Sequence, residues 1–426
     1  MVDPVPGEAS DPVETEALPA SLSEVALDGR RALLRVDVNA PVEDGVVEES
    51  ARLRAAAASI RALLDAGAGV VVLGHQGRPG RDDFVPLDQH AALVGGILGV
   101  DVGFVPDVAG EKAVAAVRDV SPGQVLFLDN VRGAEGEIEN VDAEVHAERA
   151  WVRALAAEAD VFVLDAFPAS HRSHASLVGF PLLLPAAMGP VMEAELSALQ
   201  EAAAREGGER LLVLGGAKVE DALKVLNHHL EGGLIDEALV GGIVGELFLM
   251  ARGNSLGGST EALLERLGAS DFLSLPESLV ERFDRFVVTP LDVAYSDGGD
   301  RGECFIEELP SKHKLLDVGE ASAQAFAEAI EAAETVVLNG PMGAYEQEGF
   351  ELGTRRVVEA CAKTQAFTVL GGGHTVAALE RFGFSFEDFD HVSLAGGALI
   401  TYLTGDPLPG IEALAESKRK FALGAR

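Results

Sequence analysis

Aromatic residues are scarce in this chain, at 5% of 426 positions. It has little on which to stack unpaired bases, which argues against a single-stranded nucleic-acid ligand. Basic residues are few as well: 33 Lys and Arg face 69 Asp and Glu, giving a formal charge of −36. Phosphate backbones need a basic face, so DNA and RNA are disfavoured as partners. Cys304 and Cys361 are the only cysteines and lack CxxC spacing, so neither a disulfide framework nor a zinc site is expected. The longest apolar candidate, Leu177 to Met192, is broken by Pro181, Pro185 and Pro190, and is too interrupted to span a membrane. The first twenty residues are acidic and Pro-rich and lack the features of a secretory signal. A flexible acidic extension over 1–20 and a cytoplasmic location are expected.

What is present is a large apolar fraction, 48%, in a length that suits two domains of roughly 200 residues each. That fraction argues against a disordered acidic chain. A folded protein suited to high salt fits better, because self-repulsion is screened over ~3 Å at molar salt.

Short apolar strands alternate with helical patterns, the signature of parallel α/β sheets. Strands are expected at Ala32–Val36, Val70–Leu73, Val102–Val105, Val125–Leu128 and Val161–Leu164, then at Leu211–Leu214, Ala238–Val240, Phe286–Val288, Val336–Leu338, Phe367–Leu370 and His391–Leu394. Helices are expected at Ala51–Ala66, Asp142–Glu158, Asp221–His229, Ala321–Ala333 and Thr354–Lys363. Met192–Arg205 reads as a continuous helix linking the domains.

Polar and glycine residues concentrate where these strands end, and there open parallel sheets bind ligands. The first half carries Asp37 and Asn39, then His75, Gln76, Gly77 and Arg78, then Arg132 and Arg172, with Arg52 at a helix start. Arginine forks suit carboxylates and phosphates. Singly, each could pair with a surface carboxylate; at successive strand ends they suggest an anionic substrate. The second half carries Gly215-Gly216 with Lys218, Gly241-Gly242, Asn339-Gly340-Pro341 and Gly371-Gly372-Gly373-His374-Thr375. Glycines permit close backbone approach, and helix N-termini receive anions. The stretch LLVLGGAKVED is not a P-loop, because the G-x-x-x-x-G-K-[ST] spacing is absent. His171 and His174 lack a third metal ligand, and His228-His229 reads as helix surface.

In order along the chain, RALLRVDVNAP, GHQGRPG, LDNVRG, DAFPASHRSHAS, AAMGPVMEAELSAL, LLVLGGAKVED, VVLNGPMGAYE, GGGHT and HVSLAGGA resemble the motifs of phosphoglycerate kinases. The resemblance runs from about Leu22 to Glu412. It implies two Rossmann-like three-layer α/β domains with parallel sheets facing a central cleft. Implied boundaries are 21–187 for a 3-phosphoglycerate domain, 188–206 for an interdomain helix, 207–405 for a nucleotide domain, and 406–426 for a tail returning to the first. The implied reaction is reversible phosphoryl transfer between ATP and 3-phosphoglycerate, giving ADP and 1,3-bisphosphoglycerate after hinge closure, with Mg²⁺ carried by the nucleotide. A monomer is expected.

By motif, Asp37, Asn39, Arg52, His75, Gln76, Gly77, Arg78, Arg132 and Arg172 would hold phosphoglycerate. Gly215, Lys218, Gly241, Gly242, Leu316, Asn339, Pro341, Glu346, Gly371, Gly372, Gly373, His374 and Thr375 would hold nucleotide. Arg52, Lys218 and the Gly373 backbone would act on the migrating phosphoryl group, and Glu346 would bind the ribose. Leu315–Gly319 resembles the family's loop near the adenine.

The chain departs from the family pattern at several places. Ala222 stands where a second lysine is common, with Lys224 nearby. His374 replaces the aspartate of GGGDT, and Gly74 and Gln76 replace the Ser and Leu of SHLGRP. Two rival readings follow from the residues alone: a two-domain nucleotide-sugar glycosyltransferase, which leaves the arginine set unexplained, and a small-anion binding protein, which leaves Lys218 unexplained.

Overall fold

A computed structural model describes residues 18–205 and 207–424. Most of the expected acidic extension, residues 1–17, lies outside them. The chain forms two compact units: one runs up to Glu193 and takes in the chain again from Leu408, and the other is Ala194–Pro407.

The first unit holds a six-stranded parallel sheet: β1 (Arg31–Val36), β2 (Gly69–Leu73), β3 (Val102–Val105), β4 (Val125–Leu128), β5 (Val161–Asp165) and β6 (Ala186–Met188). Their order is β3-β4-β2-β1-β5-β6, and every pairing is parallel. Strands β2 and β5 are buried at every position, because helices cover both faces of a parallel sheet; this is why they read as unbroken apolar runs. Leu34, Val36, Leu53, Ile60, Val70 and Val72 form part of the core between the sheet and its helices.

The second unit repeats the plan with β7 (Arg210–Leu214), β8 (Glu237–Val240), β9 (Val287–Val288), β13 (Thr335–Asn339), β14 (Phe367–Gly371) and β15 (His391–Ser393), ordered β9-β8-β7-β13-β14-β15 and all parallel. Between β9 and β13 lies a separate antiparallel sheet of β10 (Asp292–Asp297), β11 (Asp300–Phe305) and β12 (Lys314–Val318). In each parallel sheet the chain first winds one way from the central strand and then crosses to its other side. The reversal lies between β1 and β5 in the first sheet and between β7 and β13 in the second. At such switch points the connections diverge and leave a crevice at the strands' carboxyl ends.

Several expectations need correction. The helix expected over Asp142–Glu158 is two helices, Ala143–Ala147 and Ala150–Ala156. Arg149 between them is extended, and its guanidinium turns back to His146 Nδ1 at 3.0 Å. Leu315–Val318 is not loop but part of β12. The antiparallel sheet and β6 carry no expected strand. Residues His228 and His229 are half-buried rather than surface; His229 Nδ1 lies 2.9 Å from the Val225 carbonyl oxygen, and burial lowers its imidazole to about 4.

The linking helix spans Pro190–Ala204. Its start is tied to β5 by Asp165, which accepts from Met192 N at 2.8 Å and from the Ser59 hydroxyl. Asp165 is thus a helix anchor, and burial raises its carboxyl to about 6. Further along that helix, in the second unit, Glu195 meets His391 Nε2 at 2.8 Å and accepts from Ser393 Oγ at 3.1 Å. The last helix, Pro409–Lys420, belongs to the first unit, where Ser417 Oγ accepts from Ala186 N and donates to the Leu184 carbonyl, both at 3.0 Å. No described helix is long and apolar enough to cross a membrane.

Candidate active-site elements in each unit

In the first unit the strand ends assemble an arginine-lined network. Asp37, just past β1, accepts from Asn39 N at 3.0 Å and faces Arg52 Nη1 at 3.3 Å. Arg52 also donates to the Asn39 carbonyl at 3.2 Å, and Asn39 Oδ1 accepts from Gly77 N at 2.8 Å. Arg132 in turn donates to the Gly77 carbonyl. Three loops are therefore stitched together around polar groups that remain partly open.

Four arginines crowd this region: Arg35, Arg78, Arg132 and Arg172. Burial first, then Arg172, Arg35 and Arg78, push Arg132 down to about 10. Burial and then Arg78 lower Arg172. Glu137 acts in the opposite sense on Arg132 and Asp37 on Arg172, but the arginines outnumber these carboxylates, which makes the cluster a local positive field in a strongly acidic chain.

His75 is buried, and burial followed by Arg35 and Arg132 drives its pKa well below the usual value. It is neutral. Arg35 Nη2, which can only donate, lies 3.1 Å from His75 Nδ1. The ring proton therefore sits on Nε2, leaving that nitrogen as a donor.

Sequence reasoning missed the layer that supports this network. Arg35, 1% exposed, donates from Nε to Ser176 Oγ at 3.0 Å. Ser176 donates on to Glu137 at 2.6 Å, and burial raises Glu137 to about 7. A charged residue inside the apolar run of β1 was the available signal for Arg35. Asn130 Nδ2 donates to the carbonyls of Gln76 (2.7 Å) and Val85 (3.1 Å). Gln76 points inward: its amide pairs with both backbone groups of Ala40, at 2.9 and 3.0 Å. It positions loops rather than offering a ligand contact. Arg78 is exposed, and its guanidinium has no hydrogen bond or ion pair among the described residues.

In the second unit the expected residues divide into two sets. A pocket of ≈ 290 Å³ is lined by Gly216, Gly242, Leu316, Pro341, Glu346 and His374, among others. Gly215, Gly241 and Gly371 do not line it; they are packing points. A Cβ on Gly215 would lie 2.1 Å from the Pro341 carbonyl oxygen, and one on Gly371 2.0 Å from Leu399 Cδ2. At Gly215 the loops of the β7/β13 switch point cross so closely that only backbone fits, while Gly371 is packed against the helix Gly396–Leu403.

Beside the pocket, Gly372 has φ +93° and caps the helix Gly373–Phe382. A Cβ on Gly373 would meet nothing within 4 Å, so this helix opens onto free space. Its first amides lack intrahelical partners. Thr375 Oγ1 accepts from Gly340 N at 2.9 Å and so fixes this turn to β13. Asn339 Nδ2, next to Gly372, is buried without a partner. Lys218, at the start of the helix Val219–Glu231, is exposed and has no ion pair among the described residues. Bare amides, an unused amide donor and an uncommitted ammonium are the groups that a phosphate chain requires.

Ala222 is buried on that helix, while Lys224 pairs with Glu220 at 2.8 Å on the exposed side. Lys224 is therefore a surface pair and does not fill the place of a second lysine. His374 Nδ1 lies 3.5 Å from Glu346 Oε1. No group of three His, Cys, Asp or Glu that could hold a metal occurs among the described residues.

A family model for phosphoglycerate kinase matches residues 22–406. The chain belongs to the phosphoglycerate kinase family. It is 41% identical to the phosphoglycerate kinase of Methanopyrus kandleri over 395 residues, covering 93% of this chain and 97% of that protein. It is also 41% identical to that of Haloarcula marismortui over 390 residues, covering 91% and 97%. Among solved structures, the kinase of Pyrococcus horikoshii OT3 superposes with a TM-score of 0.87 at 34% identity, covering 94% of this chain and all of that one. The kinase of Coxiella burnetii gives 0.81 at 30%, covering 93% and 99%. Both relatives by sequence are archaeal.

Proposed function

We propose that the chain catalyses reversible phosphoryl transfer between ATP and the carboxylate of 3-phosphoglycerate. The observation that carries this reading is the family match over residues 22–406. The arginine network of the first unit supports an anionic acceptor, and the open Gly373 helix start with Lys218 supports a nucleotide donor. In this reading Asp37, Asn39, Arg52, His75, Gly77, Arg78, Arg132 and Arg172 form the acceptor site, with Gln76 holding its loops. The acceptor carboxylate is already ionised, so no general base is required. The protein's work is positioning and neutralising charge.

Lys218, Asn339 and the amides of Gly373 to Thr375 would bind and stabilise the phosphoryl group in flight. Glu346 would take the ribose hydroxyls. Mg²⁺, bound with the nucleotide, would neutralise charge on the phosphates. Acceptor and donor must meet for transfer, and domain closure is the step we propose for it, with exclusion of water as its consequence. The two expected domain functions, phosphoglycerate before the linking helix and nucleotide after it, are part of the same reading. So are a monomeric state, a cytoplasmic location and adaptation to high salt, the last resting on the charge of −36.

The test is ATP consumption that depends on 3-phosphoglycerate, coupled to reduction of the acyl phosphate, in molar KCl. Folded protein that shows no such turnover would overturn the assignment.

A further inference from the structure

Glu246 is the single charged residue in the helix Gly242–Ala251, GIVGELFLMA. Its neighbours Val244, Leu247, Phe248 and Leu249 are buried. It lines the nucleotide-side pocket together with the apolar Leu249, Leu263, Val293 and Leu316. As a residue it is half-buried, yet its Oε2 is enclosed and has no hydrogen-bond partner. An unpaired carboxyl in such surroundings is costly, and an apolar residue would serve the fold better.

The other charged groups lining this pocket are Lys314, Asp317, Glu346 and His374. Asp317 is fully engaged: it meets Arg301 at 3.0 Å and accepts from Gly353 N and Val318 N, each at 2.9 Å. Glu346 is beside His374. Glu246 is the enclosed carboxyl left uncommitted.

We propose that Glu246 reads the purine base, its carboxyl pairing with the adenine edge by accepting from the exocyclic amine and donating its own proton to N1. This inference rests on the nucleotide assignment above. Chemically, the pairing needs the neutral acid, which offers one donor beside one acceptor. Burial supplies it by raising Glu246 to about 8, with Lys314 acting in the opposite direction. Ionised, the group has acceptors only. It then loses the bond to adenine N1 and better suits guanine, whose N1 and exocyclic amine both donate.

The experiment is calorimetric binding of ADP and GDP to wild type, Glu246→Gln and Glu246→Leu, with melting temperatures. Glu246→Gln keeps a donor and an acceptor and should bind ADP near wild-type affinity. Glu246→Leu should weaken ADP by ~10-fold or more while melting no lower, because only the ligand needed the carboxyl. ADP affinity in Glu246→Leu equal to wild type would overturn the proposal. If that variant does not fold, pH decides. Wild-type preference for ADP over GDP should fall as pH rises through about 8, whereas Glu246→Gln stays flat; a flat wild type overturns the proposal as well. Wild-type protein that neither binds ADP nor turns over 3-phosphoglycerate would instead refute the assignment of function. Normal turnover with an unaffected Glu246→Leu would refute only the role of Glu246.

Discussion

Arg52 Nη1 stands 3.3 Å from Asp37 Oδ2 and also donates to the Asn39 carbonyl, whereas Lys218 has no ion pair among the described residues. One cation is aimed by the protein and the other is left to its ligand. Both carry charge for the same proposed transition state, so Arg52→Ala and Lys218→Ala should each lower kcat by at least ~10². Steady-state kinetics checks this. A near-normal kcat for Lys218→Ala would mean that the Gly-Gly-Ala-Lys turn is only a turn.

Asn130 bonds two loop carbonyls, those of Gln76 and Val85, while its Oδ1 accepts from Arg132 N at 3.2 Å. Asn130→Ala leaves these groups unpaired. It should cost about 1–3 kcal/mol in urea unfolding and raise KM for 3-phosphoglycerate more than for ATP. An equal effect on both KM values would argue against a local role.

Thr375 Oγ1 holds Gly340 N at 2.9 Å and is buried. Thr375→Val removes the acceptor at nearly constant volume. It should destabilise by about 1–3 kcal/mol and raise KM for ATP, with recovery in Thr375→Ser. Failure of serine to rescue would point to packing of the methyl group instead.

His90 is fully buried, and burial lowers its pKa from 6.5 to about 4. Below pH 6.5 the unfolded chain therefore takes up a proton that the folded chain refuses. Stability falls as pH drops from 6.5 toward 4. Glu137 and Asp165, held above their usual values, act in the opposite sense over part of this range, so the comparison is with a single variant. His90→Gln should reduce the loss in unfolding free energy between about pH 7 and about pH 5 by ~1–2 kcal/mol. An unchanged loss would assign the acid sensitivity elsewhere.

The net charge of −36 makes self-repulsion a general destabilising force. Unfolding free energy should rise between ~0.1 M and ~2 M KCl as that repulsion is screened. Stability that is constant or falls over this range would sink the high-salt reading.

Much of this protein was legible in its sequence because a parallel sheet buried on both faces demands continuous apolar runs. Strands β1, β2, β5, β7, β13 and β14 announce themselves by that demand, and glycine, asparagine and arginine residues follow them at the carboxyl ends, where we propose the ligands bind. Strand β11 did not announce itself. Its residues Asp300–Phe305 are exposed or half-buried throughout, so no apolar pattern was needed, and the turn at Gly298-Gly299 was its only signal.

Tertiary structure alone decided which residue does what at those ends. Gly215 and Gly371 have the same chemistry as Gly373, but the first is walled in by the Pro341 loop, the second by the Leu399 side chain, and the third faces open space. Gln76 lies among the expected binding residues yet turns inward to Ala40, while Arg35, far from Glu137 in sequence, is joined to it through Ser176. Local sequence fixes periodicity and turn chemistry, which are properties of neighbours in the chain. Burial, pairing and the direction of a side chain depend on segments that only folding brings together.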